Sequence, residues 1–418
     1  MSVCNDIADY EWLTGNEAAA LLDEWEADDV PLHTAVERLR GRLAPAVTHL
    51  LLEQVELRRR ARAKFTAASR MFFTRLALEQ ATDEVIARYK ANKLVQRAGL
   101  STPPVFADLC CGIGGDLLAL ARRGVAVGVD CNPNVAHFAR ANALAALGAE
   151  YAARVTVEVA DAEDWDLNGV EAWHIDPDRR ANGRRTTSLA YCKPALPTLE
   201  RLLDQVPHAG IKLAPATDVP TAWRQRCELE WISRCGECKQ LVAWHGDLAA
   251  APGRRRATVV FAKSVGRVVL DPDIAVRTVV GNPGECADVA KKVEAYVFDV
   301  DAAVLAAGLS SALAAGHGLR ALSGGATYLT APSLINDPAL ACFKVQEVFP
   351  IQIRVLAKYL RAHGIGVLEI KTRGVDVSPD ALRKELKLRG DNAATLLVTR
   401  VAGRRTAILA QRVSRKSS

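Results

Sequence analysis

The sequence predicts an α/β protein: a parallel-sheet core preceded by a helical region and followed by a smaller α+β domain. Three observations carry this. Between residues 101 and 265 short apolar runs alternate with helix-like runs, and four of the apolar runs end at a carboxylate: Asp108, Asp130, Asp161 and Asp176. The first leads through three closely spaced glycines into Leu117-Leu118-Ala119-Leu120-Ala121, the strand-turn-helix order of an open parallel sheet. Beyond about residue 266 that spacing is lost, so the chain reads as 1–100, 101–265 and 266–418.

Residues 1–100 read as helices. Asn16 is placed to cap Glu17 to Glu26, with Pro31 following at a natural stop. From Thr34 to Arg62 apolar residues recur at helical intervals, and the basic clusters Arg58-Arg59-Arg60 and Arg62-Ala63-Lys64 read as a solvated face or as a strip facing a polyanion. Met71-Phe72-Phe73-Thr74 and Thr82 precede a further helix from Val85 to Leu94, and Ser101-Thr102-Pro103-Pro104 is a stiff joint before the first strand.

The stretch Ala107-Asp108-Leu109-Cys110-Cys111-Gly112-Ile113-Gly114-Gly115-Asp116 brings backbone N–H groups close to a small ligand. A second strand, Val125 to Val129, ends at Asp130, eighteen residues after Gly112, near the roughly 20-residue spacing at which a carboxylate accepts the hydroxyls of a ribose. Cys131 and Asn132 continue that tip. A third strand, Val155 to Val159, ends near Asp161-Ala162, and a fourth, Val170 to Ile175, ends at Asp176-Pro177. Ligands of open α/β sheets bind along such an edge.

A dinucleotide fingerprint requires glycine where Leu117 stands, and no lysine with serine or threonine follows as in a phosphate-binding P-loop. Asp108 and Asp116 repel phosphate and suit a cationic ligand. S-adenosylmethionine, with a sulfonium, an ammonium, a ribose and an adenine, fits.

The run from Phe106 to Asn142 resembles a Rossmann-like class I S-adenosylmethionine-dependent methyltransferase, most similar to the RNA cap trimethylguanosine synthase branch. The resemblance implies that Asp108, with Leu109, Cys110, Gly112, Gly114 and Asp116, holds the methionine end, that Asp130 with Cys131 and Asn132 holds the ribose, and that Asp161 and Ala162 meet the adenine. It also implies that the segment before the first strand folds over the cofactor, which makes Phe73, Thr74 and Thr82 candidates. The residues themselves equally admit a core role for Phe72 and Phe73 and a helix cap at Thr82.

Asp176-Pro177-Asp178-Arg179-Arg180 occupies the catalytic position of that family. Amino methyltransferases have Asp or Asn, two prolines and an aromatic here; this chain keeps Asp176-Pro177 and has Asp178 and Arg179 for the rest. One reading keeps an amine target, with the Arg179 guanidinium stacking on the base. Another makes Asp178 a base toward a different nucleophile while Arg179, Arg180, Arg184 and Arg185 grip phosphate. A third leaves the arginines to cap a helix or pair with acids. Lys212, on a strand at Gly210 to Leu213, could reach the site or merely cover apolar surface. Cys227, Cys235, Cys238 and His245 contain one close pair where a zinc site normally shows two, which favours buried residues on edge strands and no metal.

In the C-terminal part, Val297 to Asp301 is expected to open a small-residue helix through Ala315; strands follow at Phe343 to Val348 and Val367 to Lys371, helices at Gln352 to Ala362 and from Ser378, and a hairpin over Thr395 to Ala410. Ile365 to Asp376, with Leu386-Lys387-Leu388-Arg389-Gly390, resembles the THUMP-like domain appended to bacterial methyltransferases, which implies RNA, a ribosomal or transfer RNA, as partner. Lys371, Arg373, Arg383, Lys387 and Arg389 are the candidates to neutralise phosphate, or else form a basic soluble surface.

Composition bounds the function classes. The 418 residues carry a net charge of +6, spread unevenly: residues 1–30 hold nine acidic and no basic side chains, residues 350–418 fifteen basic and five acidic. The N-terminus lacks a basic start with an apolar core, no apolar run reaches the ~18 residues of a membrane span, and ten dispersed cysteines suit a reducing, cytoplasmic setting. The function expected is methylation of structured RNA at a base nitrogen. The alternatives are a non-catalytic S-adenosylmethionine-binding RNA or assembly factor and, disfavoured by Leu117, an NAD-dependent enzyme.

Overall fold

A computed structural model describes residues 7–27, 37, 39, 42–96, 99–178, 180–181, 184–185, 187–262 and 274–414. The chain forms two compact units, one of residues 1–228, 241–253 and 260–275, the other of residues 229–240, 254–259 and 276–418.

The first unit opens with helices α1 (Ile7–Leu13), α2 (Asn16–Ala27), α3 (Pro45–Ala61), α4 (Arg75–Gln80) and α5 (Glu84–Leu94). α3 starts later than the apolar spacing suggests, because Pro45 is tolerated only in a first turn. The basic cluster on α3 is not one surface: Arg58 is buried, donates to the Met71 carbonyl at 2.9 Å and lies over the Phe72 ring.

Strands β1 (Val105–Leu109), β2 (Val125–Asp130), β3 (Val155–Val159) and β4 (Ala172–Ile175), a short hairpin of β5 (Arg180–Ala181) and β6 (Arg184–Arg185), and then β7 (Ala209–Leu213) follow. In the sheet the order is β3-β2-β1-β4-β7, all parallel. The segment Leu241–Trp244, the end of a hairpin strand, pairs antiparallel with β7. Helices α6 (Leu117–Ala121) and α7 (Pro133–Leu147) make the crossovers from β1 to β2 and from β2 to β3. The central strands β1, β2, β4 and β7 are mostly apolar, with Phe106, Leu109, Val129, Trp173, Ile175 and Ile211 all buried, as expected where helices cover a parallel sheet. Leu117 stands where a dinucleotide fold places glycine because the close approach is made from the other side: a Cβ on Gly128 of β2 would lie 2.7 Å from Leu117 Cδ2.

The second unit has a seven-stranded sheet of β8 (Tyr296–Val300), β9 (Arg320–Ala321), β10 (Tyr328–Ala331), β11 (Leu340–Pro350), β12 (Ile365–Thr372), β13 (Asn392–Val401) and β14 (Arg404–Arg412), in the order β9-β10-β8-β11-β14-β13-β12. Within that sheet only β12 and β13 pair in parallel. Helices Ile353–Ala362 and Pro379–Leu386 pack Leu356, Leu360, Leu382 and Leu386 onto Leu396 and Leu409; the alternate residues Leu397 and Ile408 join Val297, Tyr328 and Phe343 in a second cluster. The helix expected from Val297 to Ala315 is instead a strand followed by two helices, Ala302–Ala307 and Ser310–His317. Asp301 caps the first and Gly308, at φ 70°, ends it. Among the described residues no helix is long and apolar enough to cross a membrane.

Candidate cofactor and catalytic site

The turn after β1 is built on positive φ angles, 54° at Cys110, 58° at Gly112 and 89° at Gly114. At Cys110 that conformation is uncommon for a residue with a side chain and marks a functional turn. The Gly112 N–H donates to Asp130 Oδ2 at 2.9 Å and the Asn132 N–H to Asp130 Oδ1 at 2.9 Å, so the glycine loop is stitched to the tip of β2. The space a Gly112 side chain would enter is open. Asn132 caps α7 by accepting from the N–H groups of Asn134 and Val135. Asp161, exposed, accepts from the Glu163 N–H at 2.9 Å, beside buried Ala162.

The strand-tip carboxylates converge. Burial pushes the Cys110 thiol well up, and the charges of Asp130, Asp176 and Asp108 push it further. At Cys131 burial is again the main cause, followed by Asp130 and Asp161, with Asp178 contributing. Burial also raises the Asp130 carboxyl, against the two N–H donors.

Beneath the loop lies a buried polar chain. Asp108 Oδ1 meets His174 Nδ1 at 2.7 Å, and His174 Nε2 is 2.8 Å from Lys90 Nζ. Lys90 Nζ is 2.8 Å from Asp116 Oδ1, whose Oδ2 accepts from the Thr82 hydroxyl at 2.6 Å. Burial acts to raise Asp116, but the charges beside it, Lys90 foremost, outweigh it and hold the acid well below the usual carboxylate range. Burial raises Asp108 and lowers Lys90 from their ordinary values. At the tip of β4 the Lys212 ammonium donates to Asp176 Oδ2 and, at 3.1 Å, to the Gln80 carbonyl. Lys212 therefore reaches Asp176.

Residues 340–412 match the THUMP domain-like family. Over 361 residues the chain is 35% identical to proteins named uncharacterized S-adenosylmethionine-dependent methyltransferases in two strains of Mycobacterium tuberculosis, covering 84% of this chain and 92% of theirs. The chain belongs to the S-adenosylmethionine-dependent methyltransferases. A crystal structure of a protein from Porphyromonas gingivalis W83, provisionally named a methyltransferase, shares the fold at a TM-score of 0.70 and 20% identity, over 96% of this chain and 99% of that one. The NAD-dependent and non-catalytic readings are thereby set aside.

The residues of this methyltransferase suit its cofactor. Asp108 Oδ2 is buried and has no hydrogen-bond partner among the described residues, an acceptor awaiting a donor. The open face of Gly112 lies beside the half-buried Asp130.

Other predicted residues are placed differently. Phe73 is fully buried, its ring 5.9 Å from that of Phe65, and its backbone N–H donates to Gln54, so the side chain is core. Thr74 caps α4 by accepting from the Ala77 N–H. Thr82 does not cap α5; Asp83 does. Pro177 is buried, whereas Asp178 is exposed and its backbone bridges to Lys193. Arg179 lies outside the described residues, as do the side chains of Arg180, Arg184 and Arg185, whose backbones form the β5–β6 hairpin. In the second unit Lys371 and Arg373 pair with Asp299, at 2.7 and 3.6 Å, and Arg383 pairs with Asp380; Lys387 and Arg389 are exposed. Among the described residues no three His, Cys, Asp or Glu side chains gather to hold a metal.

Sequence reasoning missed Lys90 and His174. A histidine inside the otherwise apolar Ala172–Ile175, directly before Asp176, was the available signal.

Proposed function

We propose that this methyltransferase modifies structured RNA at a base nitrogen, with Asp176 and the Pro177 carbonyl receiving the target amine. The observation that carries this reading is the Asp176–Lys212 contact. An acid at the tip of β4, beside the cofactor loop, is fixed through Oδ2, which leaves Oδ1 to accept from an amine. The cofactor supplies the methyl group on a sulfonium, an excellent leaving group. What remains for the protein is to align the amine lone pair with the methyl–sulfur bond and to receive the proton the amine sheds.

In this reading Asp130 takes the ribose hydroxyls, Asp161 the adenine amino group and Asp108 the cofactor ammonium. RNA as substrate is supported by the THUMP domain-like match, by the basic balance after residue 350 and by the resemblance of Phe106 to Asn142 to the trimethylguanosine synthase branch. Because Lys371, Arg373 and Arg383 already have acidic partners, Lys387 and Arg389 are the better phosphate contacts. The nine described cysteines are all free thiols, which suits a cytoplasmic enzyme acting on ribosomal or transfer RNA.

The test is transfer of labelled methyl groups into total RNA by the wild type and by Asp176→Ala. Label in a base, lost in the variant while S-adenosylhomocysteine binding persists, is the expected result. Label in protein or small molecules, or a variant as active as wild type, overturns it.

A further inference from the structure

The buried chain beneath the glycine loop contains more charge than it neutralises. Asp108, Asp116, His174, Lys90 and Thr82 are each between 1% and 8% exposed. An ammonium has donors only, so Lys90, ion-paired with Asp116 at 2.8 Å, donates to His174 Nε2. The imidazole is then neutral, its proton sits on Nδ1, and that N–H donates to Asp108 Oδ1. With both carboxylates ionised and one ammonium between them, one negative charge remains; of the two buried carboxylate oxygens here without a hydrogen-bond partner, Asp116 Oδ1 has the Lys90 ammonium 2.8 Å away, and Asp108 Oδ2 has no partner among the described residues. A buried charge with no counter-ion is costly, so the site is complete only with a cation there.

We propose that Lys90 and His174 are positioning residues that hold Asp108 so that Oδ2 meets the α-ammonium of the cofactor. This rests on the reading of Asp108 as the methionine-end ligand. Lys90 comes from α5, so a helix preceding the first strand sets the geometry of a β1 carboxylate it does not touch. Neither residue contacts the cofactor. They act by fixing the tautomer and rotamer next to the group that does, as hydrogen-bonded partners orient the ligands of a metal.

The experiment is calorimetric binding of S-adenosylhomocysteine and of its analogue lacking the α-amino group. Wild type should prefer the amino compound by about tenfold or more, as for a hydrogen bond to a charged group. Asp108→Asn should abolish the preference. His174→Leu should abolish it too and leave affinity for the deaminated analogue unchanged, whereas His174→Asn, whose amide can replace the Nδ1 donor, should restore most of it. A His174→Leu protein that keeps the preference, or loses affinity for both compounds equally, overturns the proposal. Absence of a preference in wild type, or its survival in Asp108→Asn, overturns instead the underlying assignment of Asp108.

Nitrogen NMR of the wild-type imidazole decides the matter should His174→Leu not fold. The neutral Nδ1–H tautomer, perturbed by S-adenosylhomocysteine and less by the deaminated analogue, is expected. An Nε2–H tautomer, or equal perturbation by both compounds, counts against the relay.

Discussion

Lys212 holds Asp176: an ammonium from the last parallel strand of the core donates to the carboxylate at the tip of the neighbouring one, and a second of its three donors goes to the Gln80 carbonyl at 3.1 Å. The acid is thereby placed by two strands and by the end of α4. Lys212→Met should lower kcat for methyl transfer about 100-fold, the cost of a reacting group displaced by an ångström. S-adenosylhomocysteine affinity should change little. Single-turnover rates beside calorimetric binding separate the two, and a large loss of cofactor affinity would argue against this role.

Asp130 anchors the glycine loop through the Gly112 N–H, and in the proposed reading it accepts from the ribose. Replacing it by alanine removes charge-assisted hydrogen bonds, so cofactor affinity should fall about 10- to 100-fold. Asp130→Asn should lie between the two. Equilibrium binding of S-adenosylhomocysteine measures both.

His245 is buried, edge-on to Trp223, and held down to about 4, chiefly by burial and then by the charge of Arg226, with Glu200 opposing. Its folded value lies below the unfolded 6.5, so the unfolded chain takes up a proton first as pH falls. The stability it contributes is present above pH 6.5 and is lost on descending toward pH 4. The loss should be about 3 kcal/mol across that window. His245→Phe should flatten the profile in urea titrations between those limits, and an unchanged slope would rule this out.

Gly128 admits no side chain against Leu117. Gly128→Ala should destabilise the first unit by about 1–3 kcal/mol through overpacking. Adding Leu117→Ala should recover part of that loss, since the two changes share one contact. Thermal unfolding of the single and double variants is the measurement.

The parallel core was legible because four of its five strands are short apolar runs that end at or near an aspartate, and buried parallel strands need no alternation to be recognised. The loop from Asp108 to Asp116 was legible from its glycines. What escaped depended on contacts between distant segments. Lys90 is an ordinary helical lysine until β4 brings His174 beside it, 84 positions on. Thr82 reads as a cap until Asp116 is placed above it. At Gly308 the sequence offered a glycine among alanines, and only its left-handed backbone shows that the helix stops there. Lys371 and Arg373 read as an open basic pair because Asp299, their partner, lies some 70 positions earlier.

The polypeptide passes between its two units at residues 228, 240, 253, 259 and 275. A single cut near residue 266 would therefore not release an intact C-terminal body: it would leave behind 229–240 and 254–259, which pair Leu229 to Ser233 with Arg255 to Val259. Moving residues 266–418 onto another enzyme would therefore part them from two segments of the same compact unit.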